Sequence, residues 1–141
     1  DKVIFTGLVP REKIPEYISI MDIVVHVSLR EGLATVIPQA FACSKPVIAF
    51  NIDGAVEIIK DGKNGFLIPP PDIPEEEWRN YESSQLSSRI LTLLQDENLR
   101  KKMGEEGKKV VDPIFKAEYM LESIDALYKQ LLKEKRIISL I

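Results

Sequence analysis

Four short runs of β-branched and aromatic residues punctuate the first half of the chain: Val3 to Phe5, Ile23 to Val27, Pro46 to Phe50 and Gly65 to Ile68. They are apolar on both faces, the pattern of parallel strands covered by helices on each side. Between them lie segments with helical spacing. The first runs from Glu12 to about Met21, with Ile14, Tyr17, Ile18 and Met21 on one face; the others cover about Val36 to Cys43 and about Ala55 to Lys60, the last ended by the turn Asp61-Gly62. Such alternation predicts βαβ crossovers, hence an α/β chain with a Rossmann-like parallel sheet and flanking helices.

The periodicity changes at Pro69 to Asp72 (PPPD), which neither a helix interior nor a central strand could include. This boundary divides the chain into residues 1–72, carrying the βα units, and residues 73–141, a helical C-terminal tail of the same domain. After a loop through Glu82, helices are predicted near Ser84 to Gln95, Glu97 to Val111 and Phe115 to Lys135. The last has Tyr119, Ile124, Leu127, Leu131 and Leu132 as a broad apolar stripe. Trp78 and Tyr81 fall in the connecting loop, where packing is the simpler role than sugar stacking.

Composition narrows the classes. The 141 residues are 45% hydrophobic and 29% charged, sufficient for one domain with its own core. A net charge of −3, with acids and bases interleaved, argues against nucleic acid as a partner. One cysteine, Cys43, rules out an internal disulfide and a Cys-rich zinc site, and one histidine, His26, argues against a transition-metal centre. A reducing, cytoplasmic location fits. No apolar window reaches about 18 residues, and the chain opens at Asp1 straight into a strand-like run, so it reads as a piece of a longer protein. The pairs Lys101/Lys102 and Lys108/Lys109, with the run Lys133 to Arg136, leave peripheral association with the inner face of a membrane open, although a stable basic anchor takes about 4–8 clustered cations.

Candidate chemistry concentrates in Ser28 to Phe50, SLREGLATVIPQAFACSKPVIAF. The loop at its start follows a predicted strand and enters a helix, so it lies at the carboxyl end of a parallel sheet, where open α/β folds place ligands. Gly32 lets backbone approach a ligand, and the amides from Leu33 to about Ile37 fall in the unpaired first turn of the helix. Pro38, favoured at a first helical position, predicts a late helix start with several upstream amides free. Those donors suit a phosphate. Glu31 and Gln39 flank them, a carboxylate able to accept from two sugar hydroxyls and an amide able to accept and donate. From spacing alone, an acid at a helix start and a Gly/Pro turn explain the same residues equally well. His26 reads first as a packed core histidine, Cys43 as a small apolar helix end, and Glu57 as a helix-start charge.

VIFTGLVP (Val3 to Pro10), YISIMDIVVHVSLREGLATVIPQAFACSKPVIAF (Tyr17 to Phe50), GAVEIIKDGKNGFLIPPPD (Gly54 to Asp72) and a closing LYKQLL (Leu127 to Leu132) occur in a fixed order. In that order they resemble the C-terminal, donor-binding part of group 1 (family four) retaining glycosyltransferases of the GT-B fold. The resemblance implies a nucleotide-diphosphosugar substrate, no metal and no other cofactor, and transfer of a hexosyl group to a sugar or lipid-linked hydroxyl, as in polysaccharide biosynthesis. It places Glu31 near the transferred sugar as the catalytic residue. It places the diphosphate on the amides around Gly32, Leu33, Ala34, Thr35 and Val36, and the nucleobase beside the loop from Gly7 to Pro10. The family's pattern is Glu, seven residues, Glu, with the second acid on the ribose; here that position is Gln39, which keeps hydrogen bonding but gives up a charge-assisted acceptor. A basic Arg and Lys pair and an N-terminal acceptor domain are implied outside this chain, so the chain alone is expected not to turn over.

Two rival readings stay open on sequence. A nucleotide-sugar 2-epimerase shares the fold, but its phosphate loop resembles Ser-Gly-Gly rather than Ser28-Leu29-Arg30-Glu31-Gly32. A degenerate donor domain serving as a nucleotide sensor or assembly surface is favoured by Gln39 alone. A sheet lacking its first strands also has a free edge, which invites pairing between copies.

Overall fold

β2 (Val47–Phe50) is buried along its whole length and sets the layering of the chain. In the computed structural model, which describes residues 2–72, 74, 77 and 83–134, β1 (Val24–His26) and β3 (Gly65–Ile68) pair with it in parallel, in the order β1-β2-β3. Val24 stands opposite Val47, and Val47 opposite Gly65. Alternate residues of β2 serve opposite layers. Val47 and Ala49 pack with Ile18 of α1 (Ile14–Ile20), Ile37 and Phe41 of α2 (Val36–Ala42) and Ile58 of α3 (Ala55–Ile58). Ile48 and Phe50 join Phe66, Leu93 of α4 (Ser84–Gln95) and Met103 of α5 (Glu97–Ile114). A strand apolar on both faces therefore has a helical layer on each, as the sequence pattern required. Each large side chain buried in this way contributes roughly 1.5–3 kcal/mol.

Local chemistry sets the breaks. Asp96 separates α4 from α5, its Oδ1 accepting the Leu99 amide at 2.9 Å as a helix N-cap. Arg100 closes the other side of that junction, donating from Nη1 to the Leu94 carbonyl at 2.9 Å and to that of Leu93. Asn64 is 1% exposed and ties the turn before β3: its Oδ1 accepts the Lys60 amide at 2.7 Å and its Nδ2 donates to the Ile58 carbonyl at 2.9 Å. α5 approaches α2 closely because Gly104 and Gly107 carry no side chain; a Cβ at 107 would stand 2.2 Å from the Phe41 ring.

Several expectations change. Residues 3–5 form no strand; Val3, Ile4 and Phe5 are 67%, 84% and 94% exposed, and the free edge of β1 stays unpaired among the described residues. An extended run keeps strand form through ladder hydrogen bonds, and this one has none. α2 begins at Val36 as its spacing predicted, but Pro38 falls two residues into it rather than at its first position, because proline is tolerated anywhere in a first turn whose amides have no helical acceptor. α5 runs past Val111 to Ile114 with Pro113 in its last turn. α6 (Ala117–Glu134) forms as the spacing predicted, yet Tyr119, Ile124, Leu127, Leu131 and Leu132 are all exposed. The expected loop containing Trp78 and Tyr81, and the end of the basic run, lie outside the described residues.

Candidate active site

The loops that leave β1 and β2 meet at the carboxyl end of the sheet. Gly54 donates its amide to the Gly32 carbonyl at 3.0 Å, and Asp53 Oδ2 accepts the Glu31 amide at 3.3 Å. Asp53 makes its turn with φ +44°, a left-handed conformation that aspartate tolerates better than most residues. Gly54 has a different reason to be glycine: a Cβ there would stand 2.7 Å from the Gly32 carbonyl oxygen and 2.8 Å from Leu33 Cα. One backbone bond, one bond to the Asp53 carboxylate and one missing side chain thus hold these loops together.

Between them opens a narrow cleft lined by His26, Ser28, Glu31, Gly32, Ala34 and Asp53, with β2 as part of its floor. His26 is the last residue of β1, so its ring rises from the rigid sheet edge into the cleft. Its Nε2 lies 3.9 Å from Glu31 Oε1, is shielded from solvent, and has no hydrogen-bond partner among the described residues. The expected core histidine is therefore a cleft residue. Glu31 keeps a side chain 44% exposed, with no donor among the described residues closer to its carboxylate than that ring.

The amides of Leu33, Ala34, Thr35 and Val36 donate to no acceptor among the described residues. The chain satisfies its helix from Ile37 onward: the Ile37 amide reaches the Ala34 carbonyl at 3.1 Å and Gln39 the Thr35 carbonyl at 3.2 Å. The free set accordingly stops one residue earlier than Ile37. Glu31, Gly32 and Ala34 are brought to the cleft itself. Gln39 is not; it lies on an exposed face of α2, in an apolar groove with Ile14, Pro15, Ile18 and Ala42. Gly7, with φ +64° and open space around it, belongs to the exposed segment that leads through Pro10 into α1, whose Ile14 and Pro15 line that groove. α2 thus lies between two lined spaces, a cleft that mixes His26, Glu31 and Asp53 with apolar Ile37, Phe50 and Ile52, and an apolar groove. Asp53 and Gly54 escaped sequence reasoning as site residues; the signal available was the Asp-Gly pair directly after a buried strand.

Elsewhere the cation pairs have acidic neighbours. Lys101 pairs with Glu97 at 2.7 Å, and Lys109 with Glu106, whose carboxyl is held below the usual range by hydrogen bonding to that ammonium. No helix among the described residues is long and apolar enough to cross a membrane.

Residues 1–110 match the family described as glycosyl transferases group 1. The chain belongs to that family. It is 30% identical over 114 residues to the capsular polysaccharide biosynthesis glycosyltransferase CapM of Staphylococcus aureus, covering 81% of this chain and 27% of CapM. Among solved structures, sucrose-phosphate synthase from Thermosynechococcus elongatus superposes with a TM-score of 0.78 at 26% identity, over 93% of this chain and 30% of that one. Anabaena HepE in complex with UDP-glucose superposes with a TM-score of 0.70 at 27% identity, over 83% of this chain and 30% of that one. The α/β architecture with a parallel sheet and flanking helices is thus that of GT-B glycosyltransferases. The group 1 glycosyltransferase spans under a third of the length of these relatives.

Proposed function

We propose that this chain is the donor-binding part of a retaining glycosyltransferase that moves a hexosyl group from a nucleotide diphosphosugar to a hydroxyl of a sugar or lipid-linked acceptor. The observation that carries the reading is the run of four free amides, Leu33 to Val36, beside a cleft that also holds Glu31. Main-chain donors fixed in place can meet the charge that develops on a departing diphosphate without reorganising. Glu31 and Asp53 add acceptors for sugar hydroxyls, whereas a diphosphate is itself an acceptor and takes the amides, so the sugar falls to the carboxylates and the diphosphate to the main chain. The nucleoside then runs along α2, its ribose at Gln39 and its base toward the loop of Gly7.

Both carboxylates repel a diphosphate, so further cations are needed, and the reading assigns them to an Arg and Lys outside this chain. The acceptor domain lies there too, and bond cleavage awaits closure of both domains around the donor to exclude water. No metal or other cofactor is assigned a role. The chain by itself binds donor without turnover. That HepE was solved with UDP-glucose supports a donor of this class.

Thr35→Pro tests the reading. Thr35 has φ −60°, which proline matches, and the substitution deletes one amide of the run. A panel of UDP-, GDP- and ADP-glucose, titrated calorimetrically, should include one that binds, and Thr35→Pro should weaken it roughly tenfold or more, as expected for a hydrogen bond to a charged group. Unchanged affinity in a folded variant removes the amides from the site; no binding by any of the three sinks the donor role. In the full-length protein, loss of transfer in Glu31→Ala is expected, and undiminished transfer takes Glu31 out of the mechanism.

A further inference from the structure

The geometry points to His26 as the positioning residue for Glu31: its Nε2–H is the donor that fixes the Glu31 carboxylate, leaving the other carboxylate oxygen for the sugar. Three observations converge. His26 Nε2 is solvent-shielded and unpartnered, a state in which a polar atom has given up water for nothing in return. The nearest acidic oxygen among the described residues is Glu31 Oε1 at 3.9 Å, on a side chain that is 44% exposed. The backbone of Glu31 is already tethered, its amide held by Asp53 Oδ2 at 3.3 Å, so the carboxylate swings about a fixed point.

The division of labour follows from the groups. A carboxylate has two oxygens, so Oε1 can accept from the ring while Oε2 accepts from a hydroxyl. His26 ends β1, and an anchor on a strand is stiffer than the loop that carries Glu31. The charged groups facing the ring are Glu31, from the loop after β1, and Asp53, from the loop after β2. Of the two, only Glu31 brings a carboxylate oxygen within 4.0 Å of Nε2, at 3.9 Å, which makes Glu31 the partner. The functional consequence rests on the donor-binding reading above; the His26–Glu31 pairing itself does not.

His26 is the single histidine of the sequence, so its ring nitrogens give one set of resonances in a 15N-labelled sample of this chain. Glu31→Gln should move the Nε2 resonance in the absence of any ligand, while Glu118→Gln on α6 should leave it in place. Coincident ring spectra for wild type and Glu31→Gln overturn the pairing. Binding of UDP-, GDP- or ADP-glucose, whichever the chain takes, gives the second readout. His26→Phe should weaken it about tenfold, His26→Gln should restore most of the loss by returning an N–H, and His26→Phe should add less than about twofold once Glu31→Gln is present. Fully additive losses overturn the positioning role. If wild type binds none of the three, the donor reading fails and the ring spectra still decide the pairing.

Discussion

Gly54 and Gly32 are joined by a 3.0 Å amide-to-carbonyl bond that only a glycine at position 54 permits, because the same carbonyl oxygen would lie 2.7 Å from a Cβ. Gly54→Ala therefore pushes on backbone at both 32 and 33, and neither atom is the flexible end of a side chain. Overpacking of this kind costs about 1–3 kcal/mol, and here the strain falls on the loop that presents the amides. The expected result is a folded variant whose nucleotide-sugar affinity, read by calorimetry, falls about tenfold. Wild-type affinity would mean that the loop clamp does not shape the site.

A second pair of glycines fixes α5 against α2. A Cβ at 104 would stand within 2 Å of the Ser44 carbonyl oxygen, at 1.9 Å, and one at 107 would enter the Phe41 ring at 2.2 Å. Alanine gains about 1 kcal/mol over glycine in a helix interior, so propensity alone predicts stabilisation. The contacts outweigh it: both Gly104→Ala and Gly107→Ala should lower the denaturant midpoint, with a net loss of about 1–3 kcal/mol. Position 104 should suffer more, since its obstacle is main chain and an aromatic ring can tilt. A higher midpoint for either variant would show that α5 can retreat from α2 at no cost.

Asn64 is the buried polar residue whose removal should be felt most sharply. Asn64→Leu keeps the volume but leaves the Lys60 amide and the Ile58 carbonyl without the partners at 2.7 and 2.9 Å that they now have. Each unpaired buried group costs about 1–3 kcal/mol. Chemical denaturation should register a loss of at least about 2 kcal/mol, and a neutral result would mean that water replaces the amide without penalty.

The layering was legible because it depends on burial. The β2 pattern Val47, Ile48, Ala49, Phe50 is apolar at consecutive positions, and a strand so written has to be covered on both faces. α4 matched its expected bounds, Ser84 to Gln95, since Asp96 is both a poor place to continue a helix and a good place to start the next. Residues 3–5 are as apolar as β1, yet they are exposed: hydrophobicity licenses a strand, but a pairing neighbour makes one. The helix expected to end near Val111 runs on to Ile114 and takes Pro113 into its last turn. At the site, Glu31 and Gly32 were legible from the strand-loop-helix order. Asp53 and Gly54 were not, because what matters is the meeting of two loops 22 residues apart along the chain. The unpartnered Nε2 of His26 was equally invisible, being a property of its surroundings.

Gln39 joins the sequence resemblance to the structure. The family pattern has an acid at this place, and here an amide lies on the exposed face of α2, beside Ile14, Pro15 and Ala42 in the groove next to α1. The loop of Glu31 leads through the free amides into α2, which carries Gln39 in its middle, so a diphosphate on those amides would place a hexose toward Glu31 and a ribose toward Gln39. A carboxylate accepts from vicinal hydroxyls more strongly than an amide does, the difference being about 1 kcal/mol. Gln39→Glu should therefore tighten nucleotide-sugar binding roughly fivefold, and the gain should shrink for a 2′-deoxyribose analogue, which offers one hydroxyl fewer. Gln39→Ala should weaken the ribose form and spare the deoxy form by comparison. If Gln39→Glu shifts both sugars equally, or neither, the ribose lies elsewhere and the apolar groove beside α1 is not its path.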